Sequence, residues 1–232
     1  MREVRVSRKG ASRVASGHPW IFAGDLAGPA SAEPGSAVKV IDPSGRPLGT
    51  AHFSSASQIS LRLLSEHVEE IGRGFFLRRI AAAAEFRRRV VENTDAWRVV
   101  YGEADLLPAL VVDRYGDCLV VQALDQGMDQ ATPVIIDCLR ELFSPRAIVL
   151  RNDAAVRARE NLPLESCVAF GDVPSEVAVR MNGLALSALR PHSRADENWC
   201  RDDSRIPIPK EASKLAVPSS SSERRSAVSA FE

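Results

Sequence analysis

Short, closely spaced strands at the start of the chain constrain its fold more than any other feature. Glu3–Val6 and Ile59–Leu64 alternate apolar residues with charged or polar ones over most of their length. Ala37–Ile41 and Leu48–Phe53 flank the turn sequence Asp42-Pro43-Ser44-Gly45. Strands of this length, joined by turns that contain Pro and Gly, are typical of small barrels. The first part of the chain is therefore predicted to be a small β-barrel.

The residues after the predicted barrel mix helical and strand patterns. Residues 74–93 place apolar side chains on one helical face, and a second helix is predicted with Thr132 as its N-cap and Pro133 in its first position. Asn182-Gly183 is a strong hairpin signal. The remaining predictions are a short helix over Asp153–Glu160 and strands over Trp97–Tyr101, Ala109–Arg114, Cys118–Ala123, Ala147–Arg151, Glu176–Met181 and Leu184–Leu186. This part of the chain is therefore predicted to be α+β.

The composition changes after Ser187. Residues 188–232 contain nine Ser and four Pro, and only eight of them are Val, Ile, Leu, Met, Phe or Trp. Such a segment buries too little apolar surface to offset the entropy of ordering it, so we expect it to be disordered. The predicted organisation is a barrel domain over residues 1–70, a central α+β domain over 71–187 and a disordered tail over 188–232.

The 30 basic and 30 acidic side chains cancel over the whole chain but not along it. Residues 1–95 carry 14 basic and 10 acidic side chains, whereas residues 96–187 carry 8 and 13. The basic excess is concentrated near the N-terminus, where five cations face only Glu3: Arg2, Arg5, Arg8, Lys9 and Arg13. Such a cluster is able to contact nucleic-acid phosphates, but it is also an ordinary solvated surface in most proteins.

The sequence carries no membrane, secretion or catalytic signature. No apolar run approaches the roughly 18–20 residues that cross a bilayer, and the charged first residues lack the apolar core of a signal peptide, so we expect a cytoplasmic protein. No Gly-x-Ser-x-Gly, Gly-x-Gly-x-x-Gly, P-loop or Cys-x-x-Cys pattern occurs. Gly102-Glu103-Ala104-Asp105 could hold a metal, although such a segment is usually only an acidic turn. We predict no catalytic, cofactor-binding or metal-binding residue.

Two groups of residues have both a functional and a structural interpretation. His18, Trp20 and Phe22 are able to form a stacking platform for nucleobases, or else the two larger rings fill the barrel while His18 holds the turn. We favour the structural interpretation for Phe22 and leave the other two open. Arg62 is more often a solvent-facing residue than a ligand. The run Arg87-Arg88-Arg89 is able to contact RNA, but a solvated helix face is the favoured interpretation.

Several segments resemble one family of enzymes. Arg8-Lys9-Gly10, His18-Pro19-Trp20-Ile21-Phe22 and Ile59-Ser60-Leu61-Arg62-Leu63-Leu64 resemble the N-terminal PUA domain of the bacterial large-subunit rRNA methyltransferases that make 5-methylcytosine. The central domain of the same family is resembled by residues 76–83, 98–108, 112–117 and 151–153. The similarity covers roughly residues 1–187, and Leu107 and Ala109 depart from it where glycines are expected.

The resemblance implies an RNA-binding protein of an S-adenosylmethionine-dependent family. Its members bind 23S rRNA and methylate carbon 5 of a cytosine, using a cysteine thiolate and a Rossmann-like cofactor domain that follow the matched region. None of the four cysteines here lies in that catalytic context. We therefore expect the RNA-binding portion of such an enzyme, truncated before the methyltransferase domain, inactive in this form and without a cofactor of its own. The expected partner is 23S rRNA and not a membrane, and a homodimer is considered.

The residues that the resemblance implies for RNA contact are Arg8, Lys9, His18, Trp20 and Arg62. Codons for Leu189–Trp199, read one nucleotide out of register, can encode the start of the family's methyltransferase domain, so we expect a frameshifted tail after about Ser187. Two alternatives stay open. One is a stand-alone PUA-type RNA-binding protein without enzymatic activity, and the other is a degraded gene product that folds only in part.

Overall fold

A computed structural model describes residues 1–189 of the chain. Its N-terminal part contains five strands and one helix: β1 (Arg2–Arg5), α1 (Arg8–Ala15), β2 (Trp20–Phe22), β3 (Ala37–Ile41), β4 (Pro47–Phe53) and β5 (Ile59–Ser65). The strands form one sheet in the order β1-β3-β4-β5-β2, in which only the β1–β3 pair is parallel. A bridge between Val6 and Leu26 brings the two sheet edges together. The predicted small barrel is confirmed.

The core of this barrel consists of the apolar side chains that alternate along its strands. Neighbouring residues of a strand point to opposite faces, so each strand contributes every second residue to the interior. The fully buried members are Val4, Val6, Ile21, Val38, Val40, Ala51 and Leu61. The alternate side chains of β2, β4 and β5 point away from this core and are able to contact the rest of the chain.

Helix α1 was not predicted from the sequence. Ser7 caps it by accepting a hydrogen bond from the Gly10 backbone N–H at 3.2 Å. Gly10 is buried against the Asp25 backbone so closely that a Cβ atom would lie 2.8 Å from the Asp25 carbonyl oxygen. The helix is short, and tertiary contacts stabilise it: Gly10 packs on Asp25, and Ala11 and Val14 pack against the barrel core.

The central part has two helices and a second sheet. Its elements are α2 (Arg73–Val90), β6 (Ala96–Tyr101), β7 (Leu110–Tyr115), β8 (Cys118–Ala123), α3 (Gln126–Phe143), β9 (Ala147–Asn152) and β10 (Glu165–Gly171). The strand order is β10-β9-β8-β7-β6, with β8 and β9 parallel and joined through α3. The two helices pack together on a core that includes Phe76, Ile80, Leu110, Met128, Ile135, Leu139 and Ile148. The predicted α+β fold is confirmed.

Three local predictions in this part were wrong or incomplete. Helix α3 begins nearly two turns before Thr132, at an N-cap formed by Asp125, whose side chain accepts from Met128 N at 2.7 Å. Pro133 therefore lies inside the helix. The short helix near residue 155 is a 3₁₀ turn over Ala155–Glu160, and strand β10 was not predicted. Asp125-Gln126-Gly127 resembles a turn in sequence, which concealed the true start of α3.

The predicted hairpin is present as β11 (Glu176–Met181) and β12 (Leu184–Leu189). Asn182 and Gly183 both have positive φ, at 51° and 80°, as a two-residue hairpin turn requires. The predicted disordered or frameshifted tail lies almost entirely outside the described residues. None of the helices within residues 1–189 is long and apolar enough to cross a membrane.

Candidate nucleic-acid interface

Helix α1 is held against the end of β2 by one buried carboxylate. Asp25 is 1% exposed, and its Oδ2 atom accepts a hydrogen bond from Arg13 Nε at 2.9 Å. Lys9 Nζ lies 3.8 Å from Asp25 Oδ1, while 77% of the Lys9 side chain stays exposed. Arg8 is exposed one residue earlier. The arrangement fixes α1 and leaves the charged ends of Arg8 and Lys9 in solvent, where they are available to phosphates.

A row of half-buried rings continues this face. The Arg13 guanidinium lies over the Phe22 ring, 4.9 Å from its centroid. His18 lies 6.3 Å from Phe22 and 5.8 Å from Trp20 between ring centroids, with an edge-to-face angle of 71° to the indole. Cations beside partly exposed rings are the combination that binds single-stranded RNA through phosphate contact and base stacking.

The tautomer of His18 follows from its hydrogen bond. Its Nδ1 atom accepts from the Trp20 backbone N–H at 3.1 Å, so in the neutral ring the proton lies on Nε2. This bond is the turn-holding role that the sequence suggested, and it leaves Nε2–H as a donor. His18 is therefore able both to hold the turn and to contact a ligand.

Trp20 connects the barrel to the central domain. Its Nε1–H donates to Glu103 Oε1 at 2.7 Å. Glu103 belongs to the acidic segment Gly102–Asp105, which forms a 3₁₀ turn. Asp105 in that turn accepts two hydrogen bonds from Arg87, at 2.8 and 2.6 Å, and one from Tyr101 N at 2.6 Å. Within residues 1–189 no cluster of three or more His, Cys, Asp or Glu could hold a metal.

Arg62 lies apart from the exposed cations. It is 7% exposed, and its Nη2 atom donates to Glu160 Oε1 at 2.7 Å. Its Nη1 atom lies 3.6 Å from Asp125 Oδ2, and the other oxygen of Glu160 accepts from Ser54 Oγ at 2.6 Å. Arg62 is thus neither the solvent-facing residue nor the surface ligand that the sequence suggested. It binds the barrel to the central domain.

The cross-strand register explains this placement. Trp20, Arg62 and His52 are directly opposite one another on β2, β5 and β4, so their side chains share one face of the sheet. That face meets the central domain: His52 packs on Gly127, Arg62 reaches Glu160, and Trp20 reaches Glu103 at the rim. The buried residues Arg62 and His52 therefore pack against the central domain, whereas the half-buried Trp20 lies at the edge of that contact.

The electrostatics of the buried interface are unusual. Burial lowers the pKa of His52 to about 4, with a smaller contribution from Arg62, and its Nδ1 atom has no hydrogen-bond partner within the described residues. Burial raises the pKa of Asp125 to about 6, although Arg62 opposes the rise. The interface thus contains one guanidinium between two carboxylates and beside a neutral imidazole.

Arg88 and Arg89 lie on a solvated face of helix α2, in agreement with the interpretation favoured from the sequence. Both pair with Glu85 on the same helix, at 3.0 and 3.2 Å, and their side chains are 70% and 72% exposed. Sequence reasoning missed the buried anchors Asp25, Asp125 and Glu160, since no pattern separates a buried carboxylate from an exposed one. A partial signal exists for Glu103, whose segment is part of the matched central region.

Comparison with known proteins supports these observations. A family model for a PUA-like domain matches residues 4–66. Ribosomal RNA large subunit methyltransferase I of Erwinia tasmaniensis is 37% identical over 161 residues, which are 68% of this chain and 41% of that protein. The protein of the same name from Vibrio parahaemolyticus is 35% identical over 191 residues, 80% of this chain and 46% of that protein. The chain spans less than half the length of these curated relatives.

Solved structures share the fold. A protein from Streptococcus mutans described as a SAM-dependent methyltransferase superposes with a TM-score of 0.68 at 17% identity, covering 82% of this chain and 48% of that one. A second methyltransferase structure, complexed with SAH, has a TM-score of 0.69 at 16% identity. At sequence identities of this size, the similarity shows a shared fold and nothing further.

The fold and the matched region define a class: a PUA-like barrel joined to a central α+β domain. Over the matched region, the chain is similar to the bacterial proteins named ribosomal RNA large subunit methyltransferase I. The resemblance seen in the sequence is thereby confirmed.

Proposed function

We propose that this chain is the RNA-binding portion of an S-adenosylmethionine-dependent methyltransferase that acts on cytosine C5 of 23S rRNA. The observation that carries the proposal is the face formed by α1 and β2. There the exposed cations Arg8 and Lys9 lie beside the half-buried rings of His18 and Trp20. The PUA-like match and the rRNA methyltransferase relatives support RNA as the ligand.

The proposal removes Arg62 from the predicted RNA contacts and gives it a role in domain packing. It assigns methyl transfer to the portion of the relatives that this chain does not match. Two buried thiols support that assignment: burial raises the pKa of Cys118 to about 11 and also raises that of Cys138. A thiol with a raised pKa holds little thiolate at neutral pH and is a poor nucleophile.

RNA binding is tested with fragments of 23S rRNA in electrophoretic shifts at several salt concentrations. Removing one phosphate-binding cation reduces the slope of log K against log salt by about 1, so replacing both Arg8 and Lys9 with Ala is expected to reduce it by about 2. The matched control replaces Arg88 and Arg89, which are equally exposed cations on α2, and should leave the slope unchanged. If the wild-type chain causes no electrophoretic shift of the rRNA fragments at low salt, the proposal is wrong.

A stand-alone PUA-type RNA-binding protein is the second candidate. It is favoured by the two buried cores within residues 1–189 and by the polar contact of Arg62 with Glu160 between them. Titration calorimetry with S-adenosylmethionine is expected to show no binding in either case, and micromolar binding would contradict both. The two candidates differ in whether rRNA from cells that lack the gene also lacks 5-methylcytosine at one position.

A further inference from the structure

Glu103 lies at the rim of the interface between the barrel and the central domain, next to the candidate RNA-binding rings. It is half-buried, and its Oε1 atom accepts from Trp20 Nε1 at 2.7 Å. No hydrogen bond to its Oε2 atom is found within the part of the chain that the structure describes. The carboxylate is therefore held in place at one oxygen, and the other oxygen is able to accept a further donor.

A carboxylate on an RNA-binding face has an electrostatic cost, since it repels phosphates. It becomes favourable where the RNA presents a hydrogen-bond donor to it. Nucleobases supply such donors through their amino groups, and a carboxylate accepting from N4 of cytosine is one of the recognised pairings in base readout. Uracil carries a carbonyl oxygen at the corresponding position and would be repelled.

The position of Glu103 relative to Trp20 suits this readout. A base that stacks on an indole ring places its hydrogen-bonding edge near the edge of that ring, and Glu103 lies at the Nε1 edge of Trp20. The Trp20–Glu103 hydrogen bond orients the carboxylate before RNA arrives, which makes the entropic cost of binding smaller. His18 lies against the same indole in an edge-to-face arrangement, with the ring centroids 5.8 Å apart.

We propose that Glu103 selects an amino-bearing nucleobase stacked on Trp20, so that the central domain contributes base specificity to a surface whose phosphate contacts come from the barrel. This inference rests on the RNA-binding function proposed above. It assigns Glu103 a direct contact with RNA, in addition to its bond with Trp20.

The test compares octamers of cytidine and uridine by fluorescence anisotropy with the full chain, because the two bases differ at the amino or carbonyl group in question. A readout contact of about 1 kcal/mol corresponds to a preference of about fivefold, so the wild-type chain is expected to bind the cytidine octamer at least about fivefold more tightly. In Glu103→Gln the side-chain oxygen still accepts from Trp20, while the amide NH₂ now faces the base. The preference is expected to vanish or to turn towards uridine, with an unchanged melting temperature.

Trp20→Phe is the matched control for a purely structural role, because it keeps a ring and removes the bond to Glu103. If Glu103 only joins the domains, Glu103→Gln should behave as wild type and Trp20→Phe should lose stability. Equal wild-type affinity for both octamers, or an unchanged preference in Glu103→Gln, overturns this inference and leaves RNA binding intact. Failure of the wild-type chain to bind either octamer or the rRNA fragments overturns both proposals.

Discussion

Two faces of the barrel contain similar ion pairs but differ in solvent exposure. The α1 face is formed by α1 and the end of β2, and the interdomain face is formed by β2, β4 and β5 against the central domain. On the α1 face, Arg13 pairs with the buried Asp25 while its own side chain stays 26% exposed. On the interdomain face, Arg62 pairs with Glu160 and approaches Asp125, and only 8% of its side chain is exposed. Both faces place an arginine against a buried carboxylate. The α1 face keeps its remaining cations in water, whereas the interdomain face encloses the whole group.

The difference shows that residue type does not decide which arginine is available to RNA. An arginine whose donors are occupied inside an interface cannot also contact a phosphate, however basic its neighbourhood. Removing one member of a buried ion pair leaves an uncompensated charge, whereas a half-exposed partner is replaced by water. The two faces should therefore respond very differently to equivalent substitutions.

The largest effect is expected at Arg62. Arg62→Ala should lower the free energy of unfolding by about 3–5 kcal/mol, because Glu160 and Asp125 are left buried without their cation. Arg13→Ala on the α1 face should cost about 1 kcal/mol, since Lys9 stays beside Asp25 and water is able to enter the partly exposed position that Arg13 leaves. Urea denaturation followed by fluorescence measures both. Equal losses from the two substitutions would show that the faces do not differ as described.

A smaller loss of stability is expected from adding a methyl group at Gly127, which packs against His52. Gly127 lies so close to the imidazole that an added Cβ atom would collide with it, so Gly127→Ala should destabilise the fold by about 1–3 kcal/mol. Gly24, in the short turn that follows β2, has open space around it. Gly24→Ala is therefore the matched control, expected within about 0.5 kcal/mol of wild type. A tolerated Gly127→Ala would mean that the interdomain face packs loosely.

The smallest effect is a change in pH dependence. The pKa of His52 is lowered to about 4 in the folded chain, so its contribution to stability is lost as pH falls from about 6.5 towards 4. The pKa of Asp125 is raised to about 6, so the folded chain binds the extra proton and gains stability as pH falls through 6. These contributions oppose each other in the wild-type chain.

Removal of His52 should therefore uncover the response of Asp125. The free energy of unfolding of His52→Gln is expected to rise by about 1 kcal/mol from pH 7 to pH 5, whatever its value at pH 7, whereas that of the wild-type chain should not rise. Urea midpoints at three pH values in that range measure the slope. A slope identical to that of wild type would place the titrating groups outside the interdomain face.

Local sequence was sufficient wherever neighbouring residues decide the structure. The barrel strands, the hairpin at Asn182-Gly183 and the cluster of His18 with Trp20 follow from alternation, turn chemistry and adjacency. It was insufficient where a distant contact decides. Helix α1 depends on the packing of Gly10 against Asp25. The start of α3 was missed for a different reason, because its N-cap Asp125 lies in a segment that resembles a turn.

The amino-acid sequence by itself determined the α+β architecture with its N-terminal barrel, the similarity to rRNA methyltransferases and the positions of the short basic and aromatic segments. Only the tertiary structure decided which of those residues reach solvent. It buried Arg62 opposite Trp20 on the adjoining strand, and it brought Glu103 to the Trp20 ring from 83 residues away. The physical reason is that exposure and hydrogen-bond occupancy arise from contacts between distant segments, and such contacts leave no periodic pattern in a single sequence.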